Sequence, residues 1–469
     1  MRGWTAQRLA EAAGARVVRP PSAGAGPESA VIDSRQAGPG TLFVGLPGSR
    51  ADGGRFAAQA LARGAWGALV AERHAEATAA GAGAAAGAGA AAGAGAVLAA
   101  PDPLAALQRL ATSWRRELGA QVIGVTGSTG KTSTKDLLLA LLAPRRRTIA
   151  SRANYNTEIG LPLEILAAPV GTEVLVLEMA MRGVGQIAEL ARIAEPDVGV
   201  IVSVGPVHLE LLGSLEAIAA AKAELIAALR PGATAVVPAG EPLLAPHLRD
   251  DVRTITFGEG GDVRLVGAAG PRLELELEGE RIELEVSFDQ PHLRSNLLAA
   301  VAAARAVWVT PRGRVEFALG PGRGQRVRLR EGVTLIDDCY NANPMSMRAA
   351  LEDLALTAER EGHRRRVAVL GDMLELGPRE RVFHAELGPR ATEAGVDVLV
   401  TVGPLAAEIA ARFDGGEAHI AADPAAAAEL VGELVRPGDL VLVKGSRAVG
   451  LELVCRALMD QDPPARAAV

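Results

Sequence analysis

Three α/β domains in series, the middle one built on a mostly parallel sheet, are the architecture this sequence predicts. Three observations carry that expectation. A chain of 469 residues exceeds what one hydrophobic core can organise, and at ~150 residues per domain it divides into about three. The stretch Gln121–Lys135, QVIGVTGSTGKTSTK, reads as a strand, a glycine loop and the start of a helix. Beyond residue 310 the strands RRVAVLGDM, DVLVTVG and LVLVKGS are each followed by a helical stretch, the alternation of a doubly wound, Rossmann-like sheet. The expected domains are 1–110, 111–310 and 311–469.

Taken in order, the first segment alternates short strands with a helix through VIDSRQAGPGTLFVGLPGSRADGGRF and AAQALARGAWGALVA. Asp33-Ser34-Arg35 and the loop from Gly48 to Gly53 gather small, polar and cationic groups that suit a phosphate-bearing ligand, and an Asp/Arg turn would serve structure equally well. Residues Ala77 to Ala100 are, apart from Thr78, alanine and glycine until Val97 and Leu98. That run is too weakly apolar to span a bilayer and is expected to be a flexible low-complexity insertion over 77–96.

In the second segment a polar loop, SRANYNTEIGLPLEIL, leads into a helix, and EVLVLEMAMRGVGQI holds a buried strand ending at Glu178. The strand in DVGVIVSVGP delivers His208, and a helix over about Ser214 to Leu229 carries Lys222 in its middle. RLELELEGERIELEVSF alternates with period two around Gly279-Glu280, the pattern of an antiparallel hairpin. Gln290 to Val307 is a helix containing Asn296. The third segment opens with GPGRGQRVRL and a strand, VTLIDD, that runs into CYNANPMSM; it has no glycine-phosphate fingerprint of its own.

Composition narrows the function. A net charge of −6 leaves no basic excess to neutralise a phosphate backbone, which excludes a general nucleic-acid binder. The start, MRGWTAQRLAEAAGARV, has no apolar h-region, so no signal peptide is expected, and two cysteines, Cys339 and Cys455, form no disulfide framework. A reducing cytoplasm is the expected compartment. Of 49 basic residues only Lys131, Lys135, Lys222 and Lys444 are lysine; asparagine occurs only at 154, 156, 296, 341 and 343, and tyrosine at 155 and 340. In a chain so biased toward arginine and alanine these types mark positions where nothing else serves, because arginine cannot imitate a compact ammonium or a neutral amine. Lys135, expected on the exposed side of its helix, is the one lysine for which chance survival explains as much as function.

The chemistry centres on the glycine loop. Gly127 and Gly130 allow a tight turn whose backbone N–H groups face an anion, Lys131 can reach the β/γ oxygens of a nucleotide, and the Thr132 hydroxyl can ligate Mg²⁺. The fit to G-x-x-x-x-G-K-[ST] is imperfect, with Val125 in place of the first glycine and Gly124 one residue early. Glu178, at the C-terminal edge of a parallel sheet, stands where a second Mg²⁺ ligand belongs. His208 is expected to end a strand neighbouring that of Glu178, and Asn296 to hydrogen-bond a nucleobase.

Together these residues resemble the Mur ligases, the ATP-dependent peptide ligases of bacterial cell-wall synthesis, over essentially the whole chain outside the alanine/glycine run. Gly124 to Thr132 matches the family's G-x-T-G-S/T-x-G-K-T, and Asn154 to Pro162 its N-x-N-x-x-I-G-x-P loop. EMAMRGVGQI and HLELLGS are similar to its metal-binding segments. DDCYNANPMSM, GDMLELG and VKGSR, with DSR and DGGRF, resemble the member that adds D-alanyl-D-alanine. The D-N-P-R motif of the diaminopimelate-adding relative is absent, and folylpolyglutamate synthetases share the central loop but not the DSR domain.

The resemblance implies a ligase that joins D-alanyl-D-alanine to UDP-N-acetylmuramoyl-tripeptide through an acyl phosphate formed from ATP. It implies that Thr126, Gly127, Ser128, Thr129, Gly130, Lys131, Thr132 and Ser133 bind the ATP phosphates with Arg323, and that Asn296, Asp338 and Asn341 hold the adenosine. One Mg²⁺ would sit on Thr132 and Glu178, a second among Glu178, His208 and a carbamylated Lys222, a role only a primary amine can fill. Lys131, Glu178, His208 and Lys222 would form the catalytic set. A small UDP-binding N-terminal domain would contact the nucleotide through Ser34 and Arg35. Asn154, Asn156, Thr157 and Arg182 would bind the rest of that substrate, with Lys444 and Ser446 near the incoming dipeptide. The C-terminal domain would have to swing in to assemble the site. A monomer with small-molecule substrates, no nucleic acid and no membrane insertion is expected. Another Mur-type or folate-type amide ligase stays open, as does a P-loop regulatory ATPase or transporter-associated nucleotide-binding module, which would leave the DSR and DDCYNANP segments without purpose.

Overall fold

The computed structural model describes residues 1–21, 25–49, 51–86, 95–152 and 154–460, and within them three sheets follow one another along the chain. The first has five strands in the spatial order Arg16–Arg19, Ala96–Ala100, Gly67–Ala71, Thr41–Val44, Ser29–Val31, all parallel except the outermost Arg16–Arg19. The expected insertion over 77–96 needs correction here. Residues Glu72–Ala86 form one helix, in which Thr78 is buried, and Ala96–Ala100 is a fully buried strand. Alanine is the strongest helix former, and at Ala96 the strand leaves little room, since a Cβ on Gly67 would stand 3.0 Å from Ala96 Cβ. Of the run, 87–94 lies outside the described residues.

The middle sheet has ten strands. Thr148–Ala150, Val174–Glu178, Gln121–Thr126, Val198–Ile201, Thr234–Pro238, Arg253–Phe257 and Val263–Ala269 run parallel in that spatial order. Arg272–Leu277 and Glu280–Val286 then continue as an antiparallel meander. Its hairpin turns on Glu278 (φ 49°) and Gly279 (φ 88°), one residue ahead of the expected Gly279-Glu280, because a two-residue turn of this hand needs positive φ at both central positions. Gly313–Val315, past residue 310, adds the last strand to this sheet.

Alternation along the strands separates two cores. Ile123, Val125, Val174 and Val176 face the helices Lys131–Leu142 and Pro291–Ala306. Val122, Leu175 and Leu177 face Pro103–Leu118, Gly160–Ala167, Gln186–Ala194 and Leu215–Ala227. That second core continues without a break into Leu9, Leu42 and Leu69 of the first segment, and Trp4 meets Trp114 edge-on at 5.6 Å. The first two sheets therefore share one hydrophobic interior.

The third sheet orders as Gln325–Arg328, Thr334–Asp337, Leu440–Lys444, Arg366–Gly371, Val398–Val402, Glu417–Ala421, parallel apart from the first edge strand. Cores cover both of its faces, as a doubly wound sheet requires. The strand last in sequence, Leu440–Lys444, inserts beside the strand of Asp337, so the C-terminal ends carrying Asp338 and Lys444 lie side by side. No helix among the described residues is long and apolar enough to cross a membrane.

Candidate active site

The glycine loop forms because its strand is buried along nearly its whole length and its helix starts directly after a left-handed residue. Gly130 holds φ +78° as the residue before the helix, and a Cβ there would lie 2.4 Å from Asn296 Oδ1. Gly124 packs closely, since a Cβ on it would stand 2.9 Å from Met179 Cε. Ser203 and Gly205 hold the loop from the next strand's end. Ser128 N donates to Ser203 O (3.0 Å), Thr129 N to Ser203 Oγ (2.9 Å), and Ser128 Oγ to Gly205 O (3.0 Å). Lys131 Nζ folds back on Gly127 O at 2.7 Å, and burial lowers its pKa, with Glu178 opposing and Arg323 adding to the shift. The N–H groups of Lys131, Thr132 and Ser133 are the donors that a helix start leaves without intrahelical partners. Thr126, buried with no partner for its Oγ1, ends the strand that feeds the loop.

Glu178 is the hub of the middle sheet's C-terminal edge, 3% exposed. Its Oε2 accepts from the Thr132 hydroxyl and its Oε1 from Asn156 Nδ2, each at 2.8 Å, while its backbone N–H donates to Ser151 Oγ at 3.0 Å. Lys135 reaches the same place. Expected on an exposed helix face, it is buried, with Nζ donating to Ser151 O at 2.8 Å and paired to Asp136 at 2.8 Å. The helix turns this face inward because the residue after strand Thr148–Ala150 supplies the carbonyl.

From the other side the third sheet completes a cleft of about 490 Å³ lined by Ser128 to Ser133, Asn156, Glu178, His208 and Asn296, with Arg323, Asp338, Tyr340, Asn341 and Lys444 opposite. Arg323 stacks on Tyr340 at 3.9 Å. Lys444 Nζ donates to Asp338 Oδ2 at 2.7 Å and to Asn341 O at 3.0 Å, and burial pushes the Asp338 carboxyl up against that partner's pull. Lys444 is therefore bonded to two of the residues expected at the adenosine. Ser446 does not line the cleft; buried, it accepts from Leu374 N at 3.0 Å and so holds the loop after strand Arg366–Gly371. Ser203, His292 and Met345 also line the cleft; Met345 lies within DDCYNANPMSM, whereas Ser203 and His292 belong to no motif that sequence reading singles out.

His208 departs from expectation in two ways. Its strand, Val198–Ile201, neighbours Gln121–Thr126, which separates it from the strand of Glu178, because the crossover places the glycine-loop strand in the centre. The residue itself follows that strand by a loop and sits at φ 55°, at the start of the short helix Leu209–Leu212, with Nδ1 against the Glu375 carboxylate. Burial lowers its pKa, with Glu375 opposing and Lys131 and Lys222 adding. Glu375 lies within GDMLELG, where nothing local signals this contact. Lys222 is 2% exposed in the helix Leu215–Ala227 and does not line the cleft; its pKa is held well below 10.5 by burial and then by Lys131.

The remaining candidates lie outside the cleft. Ser34 is buried and bonds Gln59 Oε1 at 3.1 Å, and Arg35 pairs with Asp33 at 2.7 Å, its side chain 82% exposed. Asp52 of DGGRF is taken by Arg73 and His74. Asn154 and Thr157 are exposed, the Thr157 hydroxyl receiving Gly160 N at 3.3 Å, and exposed Arg182 stands 4.0 Å from Glu375.

Residues 125–304 match the Mur ligase middle domain and residues 322–447 the Mur ligase glutamate ligase domain. The UDP-N-acetylmuramoyl-tripeptide--D-alanyl-D-alanine ligase of Mycobacterium tuberculosis is 38% identical to this chain, over 92% of each. The chain belongs to the Mur ligases. Among solved Mur ligase structures, MurF from Acinetobacter baumannii matches with a TM-score of 0.83 at 29% identity, covering 97% of this chain and 99% of that one. The MurF ligase from Thermotoga maritima, in complex with ADP, matches at 0.78 and 31% over 92% and 97%. The Mur ligase likeness extends across all three sheets, well beyond the glycine loop.

Proposed function

We propose that this protein is the ATP-dependent ligase that adds D-alanyl-D-alanine to UDP-N-acetylmuramoyl-tripeptide. The observation that carries the reading is one cleft in which the glycine loop, Thr132 and Glu178 of the middle sheet face Arg323, Asp338 and Asn341 of the third. The relatives named above supply the substrate. In this reading residues 1–110 hold the nucleotide end through Ser34 and Arg35, 111–310 bind the ATP phosphates, and 311–469 bind the adenosine and receive the dipeptide. The reading takes the protein as a monomer, and the need for ATP and a nucleotide-linked peptide supports a cytoplasmic location.

The donor set suits the groups it would bind. Thr132 Oγ1 and Glu178 Oε2 meet at 2.8 Å, an oxygen pair that would hold a hard cation such as Mg²⁺, which would supply charge neutralisation at the transferring phosphoryl group. Lys131, poised at Gly127 O, moves to the β/γ oxygens as they arrive. The tripeptide's terminal carboxylate accepts the γ-phosphoryl group, and the dipeptide amine then displaces phosphate, so ADP, phosphate and the pentapeptide leave in equal amounts. Lys222 is proposed to be carbamylated: burial moves its amine toward the neutral form, and a neutral amine adds CO₂ to give a carbamate with loss of one proton.

The test is phosphate release from ATP with the nucleotide-tripeptides ending in lysine or diaminopimelate, each with and without D-alanyl-D-alanine, beside folate with glutamate. Release strictly dependent on the nucleotide-tripeptide and the dipeptide is expected. Turnover without an amine, or preference for folate and glutamate, would overturn the proposal.

A further inference from the structure

We infer that Glu375 is a positioning residue for His208: its carboxylate, carried by the third sheet, selects the imidazole tautomer that presents Nε2 to the cleft. The ring is thus set only while the two sheets are in contact. What Nε2 serves rests on the ligase reading above; the contact does not.

The geometry is a matter of donors and acceptors. His208 Nδ1 hydrogen-bonds Glu375 Oε2, and a carboxylate can only accept, so Nδ1 carries the proton, which in the neutral ring leaves the lone pair on Nε2. His208 lines the cleft, and among the described residues its Nε2 has no protein partner. The other carboxylate oxygen, Oε1, stands 4.0 Å from Arg182 Nε, so Glu375 faces two side chains of the middle segment.

More than one side chain holds this contact in place. His208 has φ 55° and Glu375 φ 62°, left-handed conformations that cost a non-glycine residue free energy and persist where the surroundings impose them. Two such residues facing one another across an interface constrain both segments. Glu210 N donates to Glu375 O at 3.3 Å, and Gly377 at φ +66° lies so close that a Cβ would stand 3.0 Å from Glu210 Cα. Leu209 packs into the core of the third sheet. The loop 375–377 therefore lies flush on the start of helix Leu209–Leu212.

A carboxylate behind a histidine fixes which ring nitrogen can ligate and raises its basicity. Here the carboxylate follows strand Arg366–Gly371, in the same sheet as the strands that carry Asp338 and Lys444. Separation of the third sheet would leave His208 with neither its tautomer nor its orientation imposed, and docking would restore both.

The experiment compares native protein, Glu375→Ala and Glu375→Gln by ¹⁵N NMR of histidine-labelled full-length chain, with Mn²⁺ affinity read by paramagnetic resonance in the presence of a non-hydrolysable ATP analogue. The native His208 should show a protonated Nδ1 and a bare Nε2. Glu375→Ala should lose that signature and weaken Mn²⁺ about tenfold; Glu375→Gln, whose side-chain oxygen can still accept from Nδ1, should keep the tautomer and stay within a few-fold of native. A purely structural role would leave the tautomer unchanged in Glu375→Ala, and that result, or unchanged Mn²⁺ affinity, would overturn the inference. Absence of ligation by the native protein would refute the function proposal while the tautomer comparison still decided this one.

Discussion

Replacing Lys222 by methionine is expected to stabilise the protein and abolish its ligase activity at once. Lys222 is 2% exposed, and among the described residues no protein group bonds its Nζ, although that atom is not among the fully enclosed orphans. Glu224, the acid two residues on, is spent on the N–H groups of Gly185 (2.6 Å) and Ala188 (3.0 Å). Burying a polar group without a partner costs about 1–3 kcal/mol, and methionine fills nearly the same space without the amine. A gain of about 2 kcal/mol, at about 2–4 °C per kcal/mol for a domain of this size, is about 4–8 °C in melting temperature. The sign with pH follows from the depressed pKa. Between the folded value and 10.5 the unfolded chain binds a proton that the native state does not, so native stability rises with pH across that window while the methionine variant has no such slope. The advantage of the variant should accordingly shrink as pH approaches 10.5. Scanning calorimetry in CO₂-free buffer gives the stability, and phosphate release with bicarbonate present gives the activity. A variant no more stable than native, or one that still ligates, would refute the reasoning.

Lys131→Ala should lower phosphate release about 10²–10³-fold, the scale of removing one preorganised donor from a developing anion, with little change in melting temperature; near-native turnover would contradict the role given to the loop. Substituting a short Gly/Ser link for residues 77–95 should lower the melting temperature by several degrees, because the cut removes the end of helix Glu72–Ala86 with buried Thr78 and the Gly95 carbonyl that receives Arg19 Nη2 at 2.6 Å. An unchanged melting temperature would show that this part of the helix contributes nothing. Asp353, buried beside Arg326 at 2.7 Å, is pushed up to about 6 by burial. A raised acid holds its proton in the native state after the unfolded chain has lost it, so this contribution to stability falls as pH rises from about 4 to about 6, by up to about 3 kcal/mol. Asp353→Asn should then raise the urea midpoint at pH 7.5 and match native at pH 4; equal midpoints at both pH values would dispose of the shift.

The alanine-rich run shows where local reading fails. Alanine favours a helix when isolated and is tolerated in a strand where neighbours leave no room, so composition alone could not separate the helix Glu72–Ala86 from the strand Ala96–Ala100. Val97 and Leu98 give that strand its only large apolar side chains, too short a signal to outweigh the residues before them. Pairing with Gly67–Ala71 on one side and Arg16–Arg19 on the other is what makes it a strand. Lys135 is a similar case, since the face a helix buries depends on what packs against it, here the Ser151 carbonyl brought from another strand's end.

Short stretches of the chain encode the glycine loop with Lys131 and Thr132, the buried strand ending at Glu178, the hairpin after Arg272, and the strand–helix alternation of the third sheet. In each, neighbouring residues set the backbone conformation and the period of the apolar positions. The strand before His208 lies against the glycine-loop strand, Lys444 pairs with Asp338, and Glu375 meets His208 through packing that no single stretch encodes. Those contacts join residues far apart in the chain, and their existence depends on strand order and on the docking of one sheet against another, neither of which leaves a periodic trace in the residues concerned.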